Sequence, residues 1–148
     1  MCPKGDDPET ISQLNRKITV TTAATAGTLS GTVRVTFLGR TTSFNANPTS
    51  TTGTECATAF TALDNVQTAT CTQDATANGG ATYTVTFTAW PEYPEEDNWH
   101  YHTGNPPLTS FTCDSTYMAS NDNSATITCA ITDANSATDS ITGANCMR

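Results

Sequence analysis

Six cysteines are the residues of this 148-residue chain best suited to covalent chemistry. They lie at Cys2, Cys56, Cys71, Cys113, Cys129 and Cys146. The sequence has no Cys-x-x-Cys pair and no Cys/His cluster with the spacing of a zinc finger. An even, scattered set in an acidic, Thr-rich chain is typical of disulfides formed in an oxidising compartment, so we expect a secreted or cell-surface protein. The alternative is a set of buried free thiols in a cytosolic protein.

We predict two disulfides among the four internal cysteines. Cys56–Cys71 would tie a short helix to the strand that follows it, and Cys113–Cys129 would join two neighbouring strands. Each bond closes a loop of about 15 residues, which the chain-entropy model equates with about 3 kcal/mol. Spacing alone does not establish this connectivity, because six cysteines allow about 15 pairings.

Histidines and carboxylates offer weaker possibilities for a metal site. His100 and His102 lie on the same face of an extended segment, but no third ligand is evident. Carboxylates crowd one Pro-bounded segment at Glu92, Glu95, Glu96 and Asp97. Asp6, Asp7 and Glu9 form a second cluster. Calcium binds such oxygens, but neither cluster has the Asp-x-Asp-x-Asp-Gly pattern, so we predict no metal and no cofactor, with calcium at a carboxylate cluster as the alternative.

Catalytic signatures are also missing from the sequence. Paired carboxylates can hydrolyse glycosides, but those at 92–97 lie in one run with no aromatic-lined cleft implied around them. The chain has no Gly-x-Ser-x-Gly elbow and no phosphate-cradling glycine-rich loop. We expect that the protein is not an enzyme. A hydrolase that uses the carboxylates at 92–97 is the last of three hypotheses for its function, after a structural protein and a binding module.

Aromatic residues are concentrated around Pro91 and Pro94. The group contains Trp90, Tyr93, Trp99 and Tyr101. It is either a loop packed over one end of the fold or a docking surface for a neighbouring subunit or a sugar ring. We predict that this loop and the Asp6-Asp7 segment contact the next subunit.

Alternation of apolar and polar residues predicts the strands that position these groups. The predicted strands cover residues 18–21, 32–37, 41–44, 66–72, 82–89, 108–113 and 125–132. Apolar residues at 3–4 spacing predict one short helix over 55–63, with Thr54 as its N-cap, and Asn78-Gly79-Gly80 predicts a turn. We expect Ile127, Cys129 and Ile131 to point inward. The fold prediction is all-β: one Ig-like antiparallel β-sandwich of about seven strands, with residues 1–16 as an extended lead-in.

Composition narrows the function further. The chain has 33 Thr and 10 Ser, a net charge of −8 and only 14% charged residues. Nucleic acid is an improbable partner for so acidic a protein, and no apolar run is long enough to span a membrane. Five of the six basic residues lie in the first 40 positions, whereas residues 41–147 hold 11 carboxylates and no Lys or Arg. This asymmetry can steer head-to-tail association.

The near-sequon Asn47-Pro48-Thr49 is blocked by its proline, which leaves O-linked sugar as the expected modification.

Three motifs carry a family resemblance. They are Cys2-Pro-Lys-Gly-Asp-Asp-Pro, Tyr83-Thr-Val-Thr-Phe-Thr-Ala-Trp-Pro, and His102-Thr-Gly-Asn-Pro-Pro-Leu-Thr-Ser-Phe-Thr-Cys113-Asp. Together they resemble the immunoglobulin- or filamin-like CPxGDDP module of large secreted proteins of oomycetes, diatoms and related algae. The resemblance runs nearly end to end and implies an extracellular, adhesive or structural role without catalytic residues. In that family the module alternates with EGF-like units, which this chain lacks, and the Cys56/Cys71 pair is a further departure.

The ends of the chain suggest an array. Joining Cys146-Met147-Arg148 to Met1-Cys2 gives a junction similar to the lead-in of the family's modules. We therefore expect a single Ig-like domain over residues 1–148 that is one unit of a repeating array, with Cys2 and Cys146 paired within or between units. The expected function is an extracellular structural subunit of a head-to-tail filament, with copies of itself, O-linked glycans and EGF-like modules of the same precursor as partners. The alternative is an adhesion or carbohydrate-binding module that uses the aromatic loop.

Overall fold

The computed structural model of the chain describes residues 13–14, 16–48, 53–89, 106, 108–135 and 140–141. These ranges hold β1 (Gln13–Leu14), β2 (Lys17–Ala24), β3 (Leu29–Phe37), β4 (Arg40–Asn45), α1 (Gly53–Thr61), β5 (Thr68–Ala75), β6 (Ala81–Ala89), β7 (Phe111–Asp114), β8 (Met118–Ser120), β9 (Ile127–Asp133) and β10 (Ser140–Ile141). Each of the seven predicted strands overlaps an observed one, and the predicted helix overlaps α1.

Two antiparallel sheets form the body of the molecule. The first sheet has the order β5-β6-β2-β9, and the second has the order β4-β3-β7 with β8 also paired to β3. A separate two-stranded sheet joins β1 to β10. The predicted all-β antiparallel sandwich with one short helix is confirmed, and the strands of its two main sheets number eight in the described residues.

Alternation along the strands places the core between the sheets. Burial alternates residue by residue along β2 and along most of β6, because successive side chains of a strand point to opposite faces. All five phenylalanines and Tyr83 are buried there and form a continuous set of ring contacts. Phe37 stacks on Phe111 with centroids 4.4 Å apart. The Tyr83 hydroxyl donates a hydrogen bond to the Asn45 carbonyl at 3.1 Å, which satisfies its polar end inside the fold.

The strand order of the two main sheets follows the immunoglobulin pattern except at β9. β5-β6-β2 matches the D-E-B order of an Ig sheet, and β4-β3-β7 matches C′-C-F. In Ig domains the final strand lies beside F. Here β9 pairs instead with β2, in register from Ile18↔Asp133 to Ala24↔Ile127. Strand β9 is therefore an edge strand of the first sheet. It presents Ile127, Cys129 and Ile131 to the core as partly buried residues, as predicted.

The helix and the short strands differ from the predictions in detail. The helix begins at Gly53, so Thr54 lies inside it and the N-cap prediction is wrong. Strand β8 was not predicted, because three residues are too few to show an alternating pattern. It pairs with β3 next to Gly31, whose φ is 84° and where an added Cβ would lie 2.3 Å from the Tyr117 carbonyl oxygen. Glycine is therefore required at the point where β3 changes partners.

Two tight turns connect the hairpins. Asn78 and Gly79 both have positive φ, and the Gly80 amide donates to the Ala77 carbonyl, which confirms the predicted turn before β6. Leu38 and Gly39 connect β3 to β4 in the same left-handed conformation, with φ of 46° and 81°. Leucine is an unusual residue at such a position.

Candidate functional surfaces

The two ends of the sandwich differ in what they connect. We call the end where β2 begins and β9 ends the flank end, since β1 and β10 lead away from it as an antiparallel pair. The end of β6 at Ala89 and the start of β7 at Phe111 lie there too, because β6 pairs antiparallel with β2 and Phe111 is opposite Phe37. The described ends of β6 and β7 at this end of the sandwich adjoin in sequence the loop that contains Trp90 and Tyr101, and β1 and β2 follow the Asp6-Asp7 segment in sequence.

The residues proposed to make those contacts lie outside the described residues. They are Asp6, Asp7, Trp90, Tyr93, Trp99 and Tyr101. The histidines at 100 and 102, the carboxylates at 9, 92 and 95–97, and the cysteines at 2 and 146 lie outside them as well. These site predictions therefore stay predictions, and the described residues at the flank end form the frame that adjoins those segments in sequence.

Backbone hydrogen bonds hold this frame together. The Phe87 amide donates to the Arg16 carbonyl at 2.9 Å, and the Leu38 amide donates to the Ser110 carbonyl at 3.2 Å. The Lys17 amide donates to the Asn135 side-chain oxygen at 3.0 Å. Arg16 and Asn135 are thus bonded to the first sheet at the flank end, and Ser110 is bonded there to the end of β3 in the second sheet.

Basic residues of the first 40 positions are engaged with carboxylates of the acidic body. Arg16 Nη2 lies 3.6 Å from Asp133 Oδ1, and its side chain is only 9% exposed. Arg40 Nη2 lies 3.7 Å from Asp64 Oδ2. Part of the charge asymmetry seen in the sequence is therefore neutralised within the unit, which reduces what these residues can contribute to steering a second copy.

The opposite end, which we call the turn end, is a set of loops fixed by side-chain hydrogen bonds. The Thr28 amide donates to Asn121 Oδ1 at 2.8 Å, and Asn78 Nδ2 donates to the Ala24 carbonyl at 2.9 Å. Asn47 Nδ2 donates to the Leu29 carbonyl at 2.8 Å. These amide side chains replace strand pairing where the backbone turns, and they make this end a preformed surface.

Carboxylate caps fix the loops that flank β8. The Thr116 hydroxyl and amide donate to Asp114 Oδ1 at 2.5 and 2.9 Å, and Ser124 makes the same pair of bonds to Asp122 Oδ1 at 2.7 and 2.9 Å. These hydrogen bonds stabilise the charged form and lower the pKa of both carboxyl groups below the usual value.

The solvent face of the first sheet is built from threonine, and we call it the threonine face. Eleven of its fifteen outward positions are Thr: 19 and 21 on β2, 82, 84, 86 and 88 on β6, 68, 70 and 72 on β5, and 128 and 132 on β9. The strand register aligns Thr72, Thr84, Thr19 and Thr132 in one row across all four strands. The branched Cβ of threonine favours the extended backbone, so one residue type supports the strands and supplies an uncharged hydroxyl surface.

The second sheet presents a different solvent face. Arg34 projects from β3, and its guanidinium carbon lies 3.8 Å from the centroid of the Tyr117 ring. Tyr117 is 51% exposed, and the cation–π contact fixes it beside the register pair Arg34↔Asp114. An arginine and an exposed aromatic ring are thus found on this face, whereas the outward positions of the threonine face hold no aromatic residue and only two charged ones, Lys17 and Asp74.

Two disulfides brace the sandwich. Cys56 of α1 is bonded to Cys71 of β5 with Cα atoms 5.9 Å apart, and Cys113 of β7 is bonded to Cys129 of β9 with Cα atoms 6.1 Å apart. Both predicted pairs are present. The second differs from the prediction in one respect, because β7 and β9 belong to different sheets and the bond therefore joins the edge strand of one sheet to the edge strand of the other.

Two pockets found among the described residues are open to solvent and are not enclosed cavities. Both lie beside α1, one lined by Thr54, Ala57, Thr58, Thr61, Ala62 and Ala69, the other by residues 39–41 and 62–64. Within the described ranges no three His, Cys, Asp or Glu side chains are grouped as a metal site. The same residues include no helix with the length and hydropathy for a membrane crossing.

Comparison of the chain with protein-family models, with curated proteins and with solved structures finds no match.

Proposed function

We propose that the chain is an extracellular structural subunit that assembles head to tail into a filament, such as a cell-surface fibre, hair or wall layer. It has no catalytic role, and its partners are further copies of the same unit. The observation that carries this proposal is the difference between the two ends of the sandwich. Arg16 and Ala89 lie at the flank end, and the segments that hold the predicted contact residues adjoin these described ends of β2 and β6 in sequence, whereas the turn end is a preformed set of hydrogen-bonded loops.

An interface between unlike ends is heterologous, and a heterologous contact that does not close into a ring continues as a filament. The flank end of one copy would contact the turn end of the next, with the aromatic loop supplying apolar area. Asp6 and Asp7 would add polar contacts at the rim.

The construction of the unit supports a mechanical role. One disulfide joins the two sheets at their edge strands β7 and β9, and the other fastens the helix to the edge strand β5. Two disulfides are also compatible with an extracellular location. A unit braced in this way transmits load through its strands with little internal rearrangement.

Negative-stain imaging of the native secreted protein tests the proposal, because it separates fibres from single particles. Replacing the exposed Asn123 of the turn end by arginine (N123R) should abolish fibres by placing a bulky charge in the contact. The matched control is Ser43→Arg on the exposed face of β4, which should assemble as the native chain does. Single native particles that bind glycan through Trp90 or Trp99 would refute the filament and favour the carbohydrate-binding alternative.

A further inference from the structure

The threonine face contains two kinds of hydroxyl group. Some are bonded to one another: the Thr68 and Thr88 hydroxyls are 2.7 Å apart, and the Thr19 and Thr132 hydroxyls also form a hydrogen bond. By contrast, the hydroxyls of Thr70, Thr72 and Thr128 have no hydrogen-bond partner among the described residues, and all three side chains are exposed.

Position in the sheet divides the threonines without a hydrogen-bond partner among the described residues, which also include Thr84, into edge and central ones. Thr70 and Thr72 lie on β5 and Thr128 on β9, the two edge strands of the first sheet. Thr84 on β6 is half-buried between Thr19 and Thr72. Adjacent strands are about 4.8 Å apart, so a bulky group on Thr84 would meet a threonine on each side, whereas a group on an edge strand has a neighbouring strand on one side only. On the other side of β5 lies α1, where the Ala69 amide donates to Thr61 Oγ1, but Thr70 and Thr72 remain exposed.

We propose that Thr70, Thr72 and Thr128 are acceptor sites for O-linked sugars and that the central threonines of the face are not. The inference rests on the extracellular location in the proposed function, because it requires the glycosyltransferases of the secretory pathway. It deepens that function by identifying one surface of the unit as the coated surface of the fibre.

The chemistry is a glycosyl transfer from an activated sugar phosphate. The threonine Oγ1 forms a bond to the anomeric carbon of the sugar, and the bond from that carbon to the phosphate oxygen breaks. The phosphate leaves with the bonding electron pair, and the hydroxyl proton passes to a base of the transferase. An exposed hydroxyl without a hydrogen-bond partner loses no protein contact in this reaction.

The positions of Asp and Glu in the sequence allow the proposed acceptor sites to be tested by peptide mapping. After reduction, cleavage of the native secreted protein behind Asp and Glu gives peptide 65–74, whose hydroxyl-bearing residues are Thr68, Thr70 and Thr72 alone. The next peptide, 75–92, carries the threonines of β6. Mass spectrometry should find sugar on 65–74 and locate it at residues 70 and 72, whereas residues 82, 84 and 86 should be unmodified. A bare 65–74 peptide, or equal modification of Thr84, would overturn the proposal.

Variants secreted from the same cells give a second measurement. T70V together with T72V retains the branched Cβ and should lose the sugar mass of peptide 65–74 without loss of folding. The matched control T84V should retain that mass. Fibres with a bare peptide would contradict only the acceptor sites, and glycosylated single particles would contradict only the filament.

Discussion

The two disulfides form a matched pair for an experiment, because the loops they close are almost equal. Cys56 and Cys71 are 15 residues apart and Cys113 and Cys129 are 16 apart. In the chain-entropy model a loop of this length contributes about 3 kcal/mol to the free energy of unfolding. Replacing both cysteines of either pair by alanine should therefore cost each variant about the same entropic amount.

The two variants should nevertheless differ in stability, because the sulfur atoms that they remove differ in burial. The Cys56 side chain is fully buried in the core, whereas Cys113 and Cys129 are only partly buried. Removing the sulfur of Cys56 leaves a void with an additional cost of roughly 1 kcal/mol, comparable to the loss of one buried methylene. We expect C56A/C71A to lose about 4 kcal/mol and C113A/C129A about 3 kcal/mol.

Guanidinium unfolding of both variants without reductant measures these losses, with Thr128→Val as a surface control that should shift stability by less than about 0.5 kcal/mol. The m-value should rise in both double variants, because an unfolded chain without the cross-link exposes more surface. A loss below about 1 kcal/mol would show that strand packing alone holds the sandwich. A larger loss for C113A/C129A than for C56A/C71A would refute the reasoning from burial.

Two further predictions concern a turn and two carboxylates. Leu38→Asn should stabilise the protein by roughly 1 kcal/mol, because asparagine tolerates the positive φ of this two-residue turn, and thermal unfolding should show a rise of about 2–4 °C. An unchanged or lower midpoint would contradict this. The lowered pKa values of Asp114 and Asp122 imply that both groups stabilise the fold at pH values above the usual 3.8 and lose that contribution as the pH falls through their folded pKa values. NMR titration of the carboxyl carbons should show both groups titrating below 3.8, and Asp122→Asn should weaken the acid dependence of stability; titration at or above 3.8 would refute the capping role.

Periodicity accounts for the elements that could be predicted from the sequence. Residues 32–37 and 83–89 alternate because one face meets the core and the other meets solvent, and the two faces are visible in the order of residue types. The helix was predictable for the same reason, since Cys56 and Phe60 recur at helical spacing on its buried side. The hydrogen bonds of β8, β1 and β10 depend on strands distant in the chain, so three or two residues carry no local signal of them.

The sheet to which each strand of the Cys113–Cys129 disulfide belongs could not be predicted from the sequence, for a different reason. The spacing of Cys113 and Cys129 fits two strands joined by a short connection, but it does not say which sheet each strand enters. That choice depends on β9 pairing with β2, more than 100 residues away in sequence. The capped loops were more accessible, because Asp114-Ser115-Thr116 and Asp122-Asn123-Ser124 share the Asp-x-Ser/Thr pattern of a local side-chain turn.

The threonine face also bears on why such units would form filaments and not layers. A sheet surface whose outward positions hold one positive and one negative residue, Lys17 and Asp74, has little to oppose face-to-face contact with another copy, since repulsion between like charges is weak there. Sugars at Thr70 and Thr72 would keep neighbouring faces apart and leave the two ends as the contact sites. Enzymatic removal of O-linked sugar from native fibres should therefore cause lateral bundling, visible by negative stain, with the fibres themselves intact. Fibres that fall apart into single units would instead show that the sugars form part of the end-to-end contact.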